Sequence, residues 1–374
     1  MMKNIFIKKK ILFFKIDKLI LLISKTMNSE VTFLTTFFFG ENNEFVYAES
    51  LHSLAKYLIN NNYNVYLLDL FRDKTKVACL NTDKIIKRSL NKNKILHCGF
   101  FGKPIKSKNL TISLNDYTEE FFQFLEKFNK INGVKIVNTY KTLKYNLSKQ
   151  YILDYVNEFN FYKTIKINSF NDLLKYNKDE KKYLVKPLVS ERSIGSEILD
   201  GLIDEEKLKI YYNRFQNNGL IVQLYTNDFK KYGERKITFI NGEYVFARKC
   251  TQIRDENFVC VASGSKNEIY KPSKVEIELG EKVYKVFSEK YDLSYFRLDV
   301  TSDRETPIIN EIEALNPDLI AWMYKPDDLK KYHMSVKNML DHHHMELKYS
   351  LILQSDDLAL AQYILPSILN DRIG

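Results

Sequence analysis

The chain has 374 residues, 45% of them hydrophobic and 28% charged, with a formal net charge of +10. That length is enough for two or three packed units and reads as a soluble, multi-subdomain protein. Cys79, Cys98, Cys250 and Cys260 have neither zinc-ligand spacing nor a secretory context, so four reduced thiols are expected rather than a disulfide framework or a zinc site.

In chain order, residues 1–26 mix lysines with Ile, Leu and Phe. The longest clean apolar stretch there, Leu19 to Ser24, is far short of the roughly 20 residues needed to span a bilayer. The segment reads as the product of an upstream start codon, with attachment to an anionic membrane surface as the alternative and no stable membrane insertion. It also holds Lys3, Lys8, Lys9, Lys10, Lys15, Lys18 and Lys25 against Asp17, which is most of the positive excess. The remaining lysines are scattered over every segment and no aromatic-basic RNA motif is present, so a nucleic-acid or membrane-surface protein is a rival reading and nucleic acid is not expected as a partner.

Residues 31–39 read as a strand, 47–60 as a helix with Leu51, Leu54, Ala55 and Leu58 on one face, and 65–70 as a second strand, the start of a parallel α/β unit. Between Arg72 and Lys108 only a strand at 94–98 is legible. A helix over 116–129 follows, capped by Asn115 or Asp116.

Farther along, Lys186 interrupts the short apolar strand Lys181-Lys-Tyr-Leu-Val-Lys-Pro-Leu-Val189, where a lysine needs an anionic partner. The next segment, Ser190-Glu-Arg-Ser-Ile-Gly-Ser196, is a small polar loop able to offer N–H groups to phosphate oxygens, although it is not a Walker loop. Gly219 to Tyr225 reads as a buried strand, and Asn241-Gly242 joins 235–240 to 243–248 as a hairpin. Phe296-Arg-Leu-Asp-Val300 and Ile308-Ile-Asn-Glu-Ile-Glu-Ala-Leu-Asn-Pro317 then read as two strands around a polar turn, with Asp299, Glu311 and Glu313 as a carboxylate cluster. Such a cluster suits Mg²⁺, an oxygen-seeking cation that shares its octahedron with water and nucleotide phosphates; the alternative is the solvated face of a hairpin.

The collinear order of these segments resembles the ATP-grasp superfamily over roughly residues 137–319. Within it the chain looks closest to the glutathione-synthetase-like and ribosomal-protein-modifying glutamate ligases, the branch that includes the cycloserine-biosynthesis cyclo-ligase. The matching residues are Asn138, Tyr145-Asn-Leu-Ser-Lys149, Val185-Lys-Pro187, Val222-Gln-Leu-Tyr225, Gly233-Glu-Arg-Lys-Ile237, Arg297-Leu-Asp299 and Glu311-Ile-Glu-Ala-Leu-Asn-Pro317. The resemblance implies an α/β (α+β ATP-grasp) fold, in which an N-terminal parallel α/β domain precedes an ATP-grasp domain of two subdomains. The expected divisions are 1–26, 27–135, 136–218, 219–325 and a helical extension 326–374.

By the same resemblance, Lys149 and Lys186 contact ATP phosphates from two sides, beside Ser190 and Gly195 of the loop. Gln223 and Leu224 supply backbone bonds to adenine, and Asp299, Glu311 and Glu313 hold Mg²⁺, with Mn²⁺ as a substitute. Arg297 neutralises an acyl-phosphate or tetrahedral oxyanion, or else forms a structural ion pair. The implied activity is a cytoplasmic ATP-dependent carboxylate–amine ligase acting on small-molecule or peptide substrates.

Three departures from the family pattern stand in the sequence. The phosphate loop keeps Gly195 alone, Glu256-Asn-Phe-Val259 lacks an arginine that Arg254 stands near enough to replace, and Glu313 occupies a position often held by Asn, with Asn316 just beyond. They leave a catalytically degenerate nucleotide- or peptide-binding scaffold as a second reading. Residues 327–346 and 347–369 read as largely helical. Adjacent histidines in His342-His-His344 point 100° apart and cannot jointly chelate an ion, so a solvated helix is expected there.

Overall fold

The first strand of the chain, β1 (Ser29–Leu34), is central to an N-terminal sheet. Around it come β2 (Phe37–Phe39), β3 (Phe45–Tyr47), α1 (Glu49–Asn60), β4 (Tyr63–Leu68), β5 (Lys76–Cys79), β6 (Lys84–Lys87), β7 (Lys94–His97), α2 (Leu114–Asn129) and β8 (Val134–Val137). The computed structural model describes residues 29–34, 37–39, 45–47, 49–68, 76–82, 84–87, 94–97, 114–130, 134–190, 195–201, 203–251, 265–315 and 323–353. Residues 1–26, Cys98, Glu191, Arg192, Arg254, residues 256–259, Cys260, Asn316 and residues 354–369 lie outside the described residues.

The sheet order is β6-β5-β4-β1-β7-β8, parallel from β4 to β8 and antiparallel at β5 and β6. Leu51, Leu54, Ala55 and Leu58 are all buried, as their helical spacing requires. Two expectations change. The strand expected over 31–39 ends at Leu34, and Phe37–Phe39 pairs instead with β3 in a separate two-stranded ribbon. Strands β5 and β6 fall in the stretch where the sequence shows no period, because four residues are too few to display an alternation.

Next come α3 (Tyr140–Asn146), α4 (Tyr151–Asp154), β9 (Thr164–Ile167), α5 (Phe170–Asn177), β10 (Tyr183–Pro187), β11 (Glu197–Leu199), α6 (Glu205–Phe215) and β12 (Leu220–Leu224). The strands form an antiparallel sheet in the order β11-β10-β12-β9. Helices α5 and α6 start at Ser169 and Asp204, whose side chains accept from N–H groups of the first turn.

A third sheet follows α7 (Asp228–Tyr232). It is built from β13 (Glu234–Ile240), β14 (Glu243–Thr251), β15 (Lys266–Ile269), β16 (Tyr295–Thr301) and β17 (Ile308–Glu313) in the order β15-β14-β13-β16-β17, with α8 (Lys274–Ser288) between β15 and β16. Asn241 and Gly242 both take positive φ, 49° and 78°, the combination that closes a two-residue hairpin with the right twist. Ile237, Phe239, Phe296, Leu298, Val300 and Ile312 make one face of this sheet apolar, packed on Val283 and Phe287 of α8. A capping box at Ser273 and Glu276 starts that helix.

The last described helix, α9 (Pro326–Leu353), sets its stripe of Tyr332, Val336, Met339 and Leu340 against β1, α1 and β4 on one side and Val245 and Phe246 of β14 on the other. This corrects the solvated reading of the histidine triplet. His343 lies between Ser294 Oγ at 2.9 Å and Glu346 at 3.2 Å, and the buried His344 ring sits 5.7 Å from that of Tyr63. His342 alone faces outward, 3.3 Å from Glu346. Buried Cys79 and Cys250 are free thiols. Among the described residues no helix is long and apolar enough to cross a membrane.

Candidate active site

Alternation along three neighbouring strands puts charge on the face of the third sheet opposite α8. Lys236, Asp299 and Glu311 stand side by side in register across β13, β16 and β17, and Arg297 stands opposite Glu313. A bulge between Asp299 and Val300 adds Asn310 to this face, where its amide donates to Glu234 at 2.7 Å. Arg248 of β14 is in register with Lys236 and buried.

The acids differ sharply in how they are compensated. Asp299 accepts two bonds from Arg297, at 2.6 and 2.8 Å, and one from Lys236 at 2.6 Å. Burial alone would raise its carboxyl, but Arg297 and Lys236 outweigh burial and hold it at about 2. Lys236 also pairs with Glu234 at 2.6 Å. Burial raises Glu234 further than Lys236 lowers it. Among the described residues Glu313 pairs with the far edge of Arg297 alone, 3.9 Å away. Burial, with Glu311 and Asp299 close by, overcomes that arginine and pushes Glu313 up to about 8.

The opposing cations come from the second sheet and from the turn between α3 and α4. Lys149, on the turn between α3 and α4, and Lys186 of β10 reach the same Glu311 oxygen at 3.4 and 3.8 Å. Together they outweigh the burial that would raise Glu311, so its carboxyl is lowered. Lys186 is itself buried; loss of hydration, with Lys149 beside it, outweighs Glu311 and lowers it to about 8. Lys149 also donates to the Ser190 carbonyl at 2.6 Å, and the Ser190 hydroxyl donates to the Pro187 carbonyl at 3.1 Å.

The structure thus brings Lys149, Lys186, Ser190, Arg297, Asp299, Glu311 and Glu313 into one connected cluster. Gln223 and Leu224 are placed on the second sheet, and Gly195 in the turn just before β11. Gln223 donates to Thr164 Oγ1 at 2.8 Å, and Leu224 is 40% exposed at the end of β12. Gly195 takes φ +75°, with its Cα so close to Phe215 and Pro187 that a Cβ would come within 2.8 and 2.9 Å of them. Glu234, Lys236, Arg248 and Asn310 join the cluster although no site role falls to any of them from the sequence, Glu234 and Lys236 standing there only as part of the matching segment 233–237. Their signal is present as charged residues recurring inside apolar strands, but the hairpin signal at Asn241-Gly242 masks it in that segment, and the bulge that turns Asn310 inward has no sequence mark.

Whether a divalent cation suits this face turns on the donor set. Among the described residues no three Asp, Glu, His or Cys side chains gather into a ready-made cage, and Asp299 is held by Arg297 and Lys236. Glu311 and Glu313 form a same-face pair, the second raised by burial and by the neighbouring carboxylates. Two carboxylates with phosphate and water completing the shell is the usual provision for Mg²⁺, so the residues fit it, and Mn²⁺ takes the same oxygen ligands.

No protein-family model matches the chain, and no curated protein matches it. Solved structures do. The chain is similar to D-cycloserine synthetase DcsG at TM-score 0.61 and 15% identity, over 83% of this chain and 99% of that one. It is also similar to a RiPP-associated ATP-grasp ligase from Chryseobacterium gregarium, solved with ADP and a leader and core peptide, at TM-score 0.53 and 13% identity over 85% and 97% of the two chains. A third is the ATP-grasp ligase PsnB with minimal precursor, Mg and ADP, at TM-score 0.51 and 10% identity over 84% and 99%.

The chain has the ATP-grasp fold. In ATP-grasp terms, the charged cluster lies where the antiparallel sheet carrying Lys186 faces the sheet carrying Arg297, Asp299, Glu311 and Glu313.

Proposed function

We propose that this chain is an ATP- and Mg²⁺-dependent ligase that activates a carboxylate as an acyl phosphate and joins it to an amine or related nucleophile. The observation that carries this reading is the convergence of Lys186 from the second sheet and Lys149 from the turn between α3 and α4 on Glu311 of the third sheet, with Arg297 anchored alongside by Asp299. Two lysines and an oriented guanidinium facing a carboxylate pair are suited to a polyanion that arrives with its own cation.

In the first step a substrate carboxylate oxygen attacks the γ-phosphorus of ATP, the bond to the β,γ-bridging oxygen breaks, and ADP leaves. Lys149 and Lys186 hold phosphate oxygens and offset the charge on the transferring group. Bound Mg²⁺, held by Glu311 and Glu313, would supply Lewis-acid charge stabilisation. In the second step the amine attacks the acyl carbon, inorganic phosphate departs, and the amine proton is lost. Arg297, kept in place by Asp299, faces the oxyanion formed at that carbon. Nothing in this route needs a side-chain nucleophile.

Gln223 and Leu224 are proposed at the adenine edge, and Ser190 and Gly195 in the phosphate loop. The peptide complex of the Chryseobacterium ligase supports including peptides beside amino acids among the substrates to be tried. The test is phosphate release from Mg-ATP over a panel of amino acids and acidic peptides. Substrate-dependent release that Lys186→Ala abolishes supports the reading, and full release by that variant overturns the site assignment.

A further inference from the structure

Strand β17, which carries Glu311 and Glu313, is the outer strand of its sheet, and alternate residues of an antiparallel strand aim their N–H and C=O groups away from the partner. At its start the Ile309 N–H donates to the Asn160 carbonyl at 2.9 Å, and from Ile312 onward the outward groups are met by side chains of residues 138–151. Asn146 donates to the Ile312 carbonyl at 2.7 Å and accepts from the N–H groups of Ala314 at 2.7 Å and Leu315 at 3.0 Å. The buried Tyr151 hydroxyl accepts from Ile312 N–H at 3.1 Å. Asn138 continues the seam by donating to the Ala314 carbonyl at 3.0 Å.

We propose that Asn146, seconded by Tyr151, is a positioning residue that sets how tightly the site takes its cation. Two facts raise this above edge protection. Glu313 sits between Ile312 and Ala314, the residues that Asn146 grips, so its backbone is fixed on both sides. Lys149 follows Asn146 by one turn of chain and meets Glu311 at 3.4 Å. The same turn therefore holds the acid-bearing strand by its backbone and one of its acids by charge, locking the spacing between phosphate-binding lysine and cation-binding carboxylates. Asparagine suits this task because one amide both donates and accepts.

The inference rests on the proposed Mg-nucleotide site, and partners outside the ligand shell typically tune metal affinity by about 10- to 100-fold. The test uses the full chain, a non-hydrolysable ATP analogue and calorimetry as Mg²⁺ is varied. Asn146→Ala is expected to raise the Mg²⁺ midpoint at least about tenfold, to leave analogue binding without Mg²⁺ unchanged, and to speed amide exchange at Ala314 and Leu315. Tyr151→Phe, which keeps the buried ring, should shift the midpoint the same way by less, and it decides the matter if Asn146→Ala does not fold. A wild-type Mg²⁺ midpoint in the variants overturns the inference alone, as does a loss of binding that is equal with and without Mg²⁺. If the wild-type chain shows no Mg²⁺ effect, the reading of the site and this inference fall together.

Discussion

Two buried arginines on neighbouring strands of the same sheet make an instructive pair. Arg235 of β13 faces α8. Its Nε donates to Glu276, its other nitrogens donate to the carbonyls of Ser302 at 2.8 Å and Thr301 at 3.1 Å, and Glu276 is completed by the Tyr270 hydroxyl and the Ser273 N–H, both at 2.8 Å. Arg297 of β16 faces the opposite side and is also paired, yet around it stand Lys236, Glu234, Glu311 and Glu313 with charge that their neighbours do not balance one for one. The first cluster is closed and holds helix to sheet. The second leaves Glu313 raised and Lys186 lowered, the kind of perturbation that the proposed nucleotide site would put to use.

The sharpest way to break this contrast is to remove charge from each side in turn. Lys186→Ala and Glu311→Ala should each cut ATP turnover at least about 100-fold, as loss of a positioned transition-state charge does, with thermal unfolding little changed. Arg235→Ala should do the opposite: removing one member of a fully buried pair strands the other, at a cost of about 3–5 kcal/mol in urea unfolding. A smaller loss, about 1–3 kcal/mol, is expected for Gly280→Ala, because overpacking is only partly relieved by movement of the ring; a Cβ there would come within 1.9 Å of Phe239.

The pH dependence is the mildest effect and the most specific. Glu313 is raised from 4.5 to about 8, so between those values the folded chain holds a proton that the unfolded chain has lost, and its stability falls as pH rises through the window. Lys186 is lowered from 10.5 to about 8, so between those values the unfolded chain holds the extra proton and stability rises with pH. In the proposed site, cation binding would displace the Glu313 proton, whereas phosphate binding would need Lys186 charged. Mg-nucleotide affinity should therefore climb to about pH 8 and decline above it, and Glu313→Gln should flatten the lower limb in calorimetry across pH.

Much of this site is legible in the order of residues along the chain. The two-period alternation of Glu311 and Glu313, and the turn that returns them to Asp299, are local patterns, and the register confirms the same-face pairing. What escapes depends on distant parts of the chain. Lys236 reads as one charge in a hairpin until β16 sets Asp299 beside it. His343 and His344 read as solvated until α9 is laid between two sheets. Likewise β5 and β6 acquire strand identity from their neighbours in the sheet rather than from any pattern of their own.

The central claim, that the open cluster is a cation-dependent nucleotide site, is tested most directly by calorimetric titration with a non-hydrolysable ATP analogue, with and without Mg²⁺, beside Glu311→Ala. Binding that Mg²⁺ strengthens, and that Glu311→Ala weakens only when Mg²⁺ is present, is the predicted result. No binding by the folded wild-type chain, or binding indifferent to both Mg²⁺ and Glu311, would contradict it.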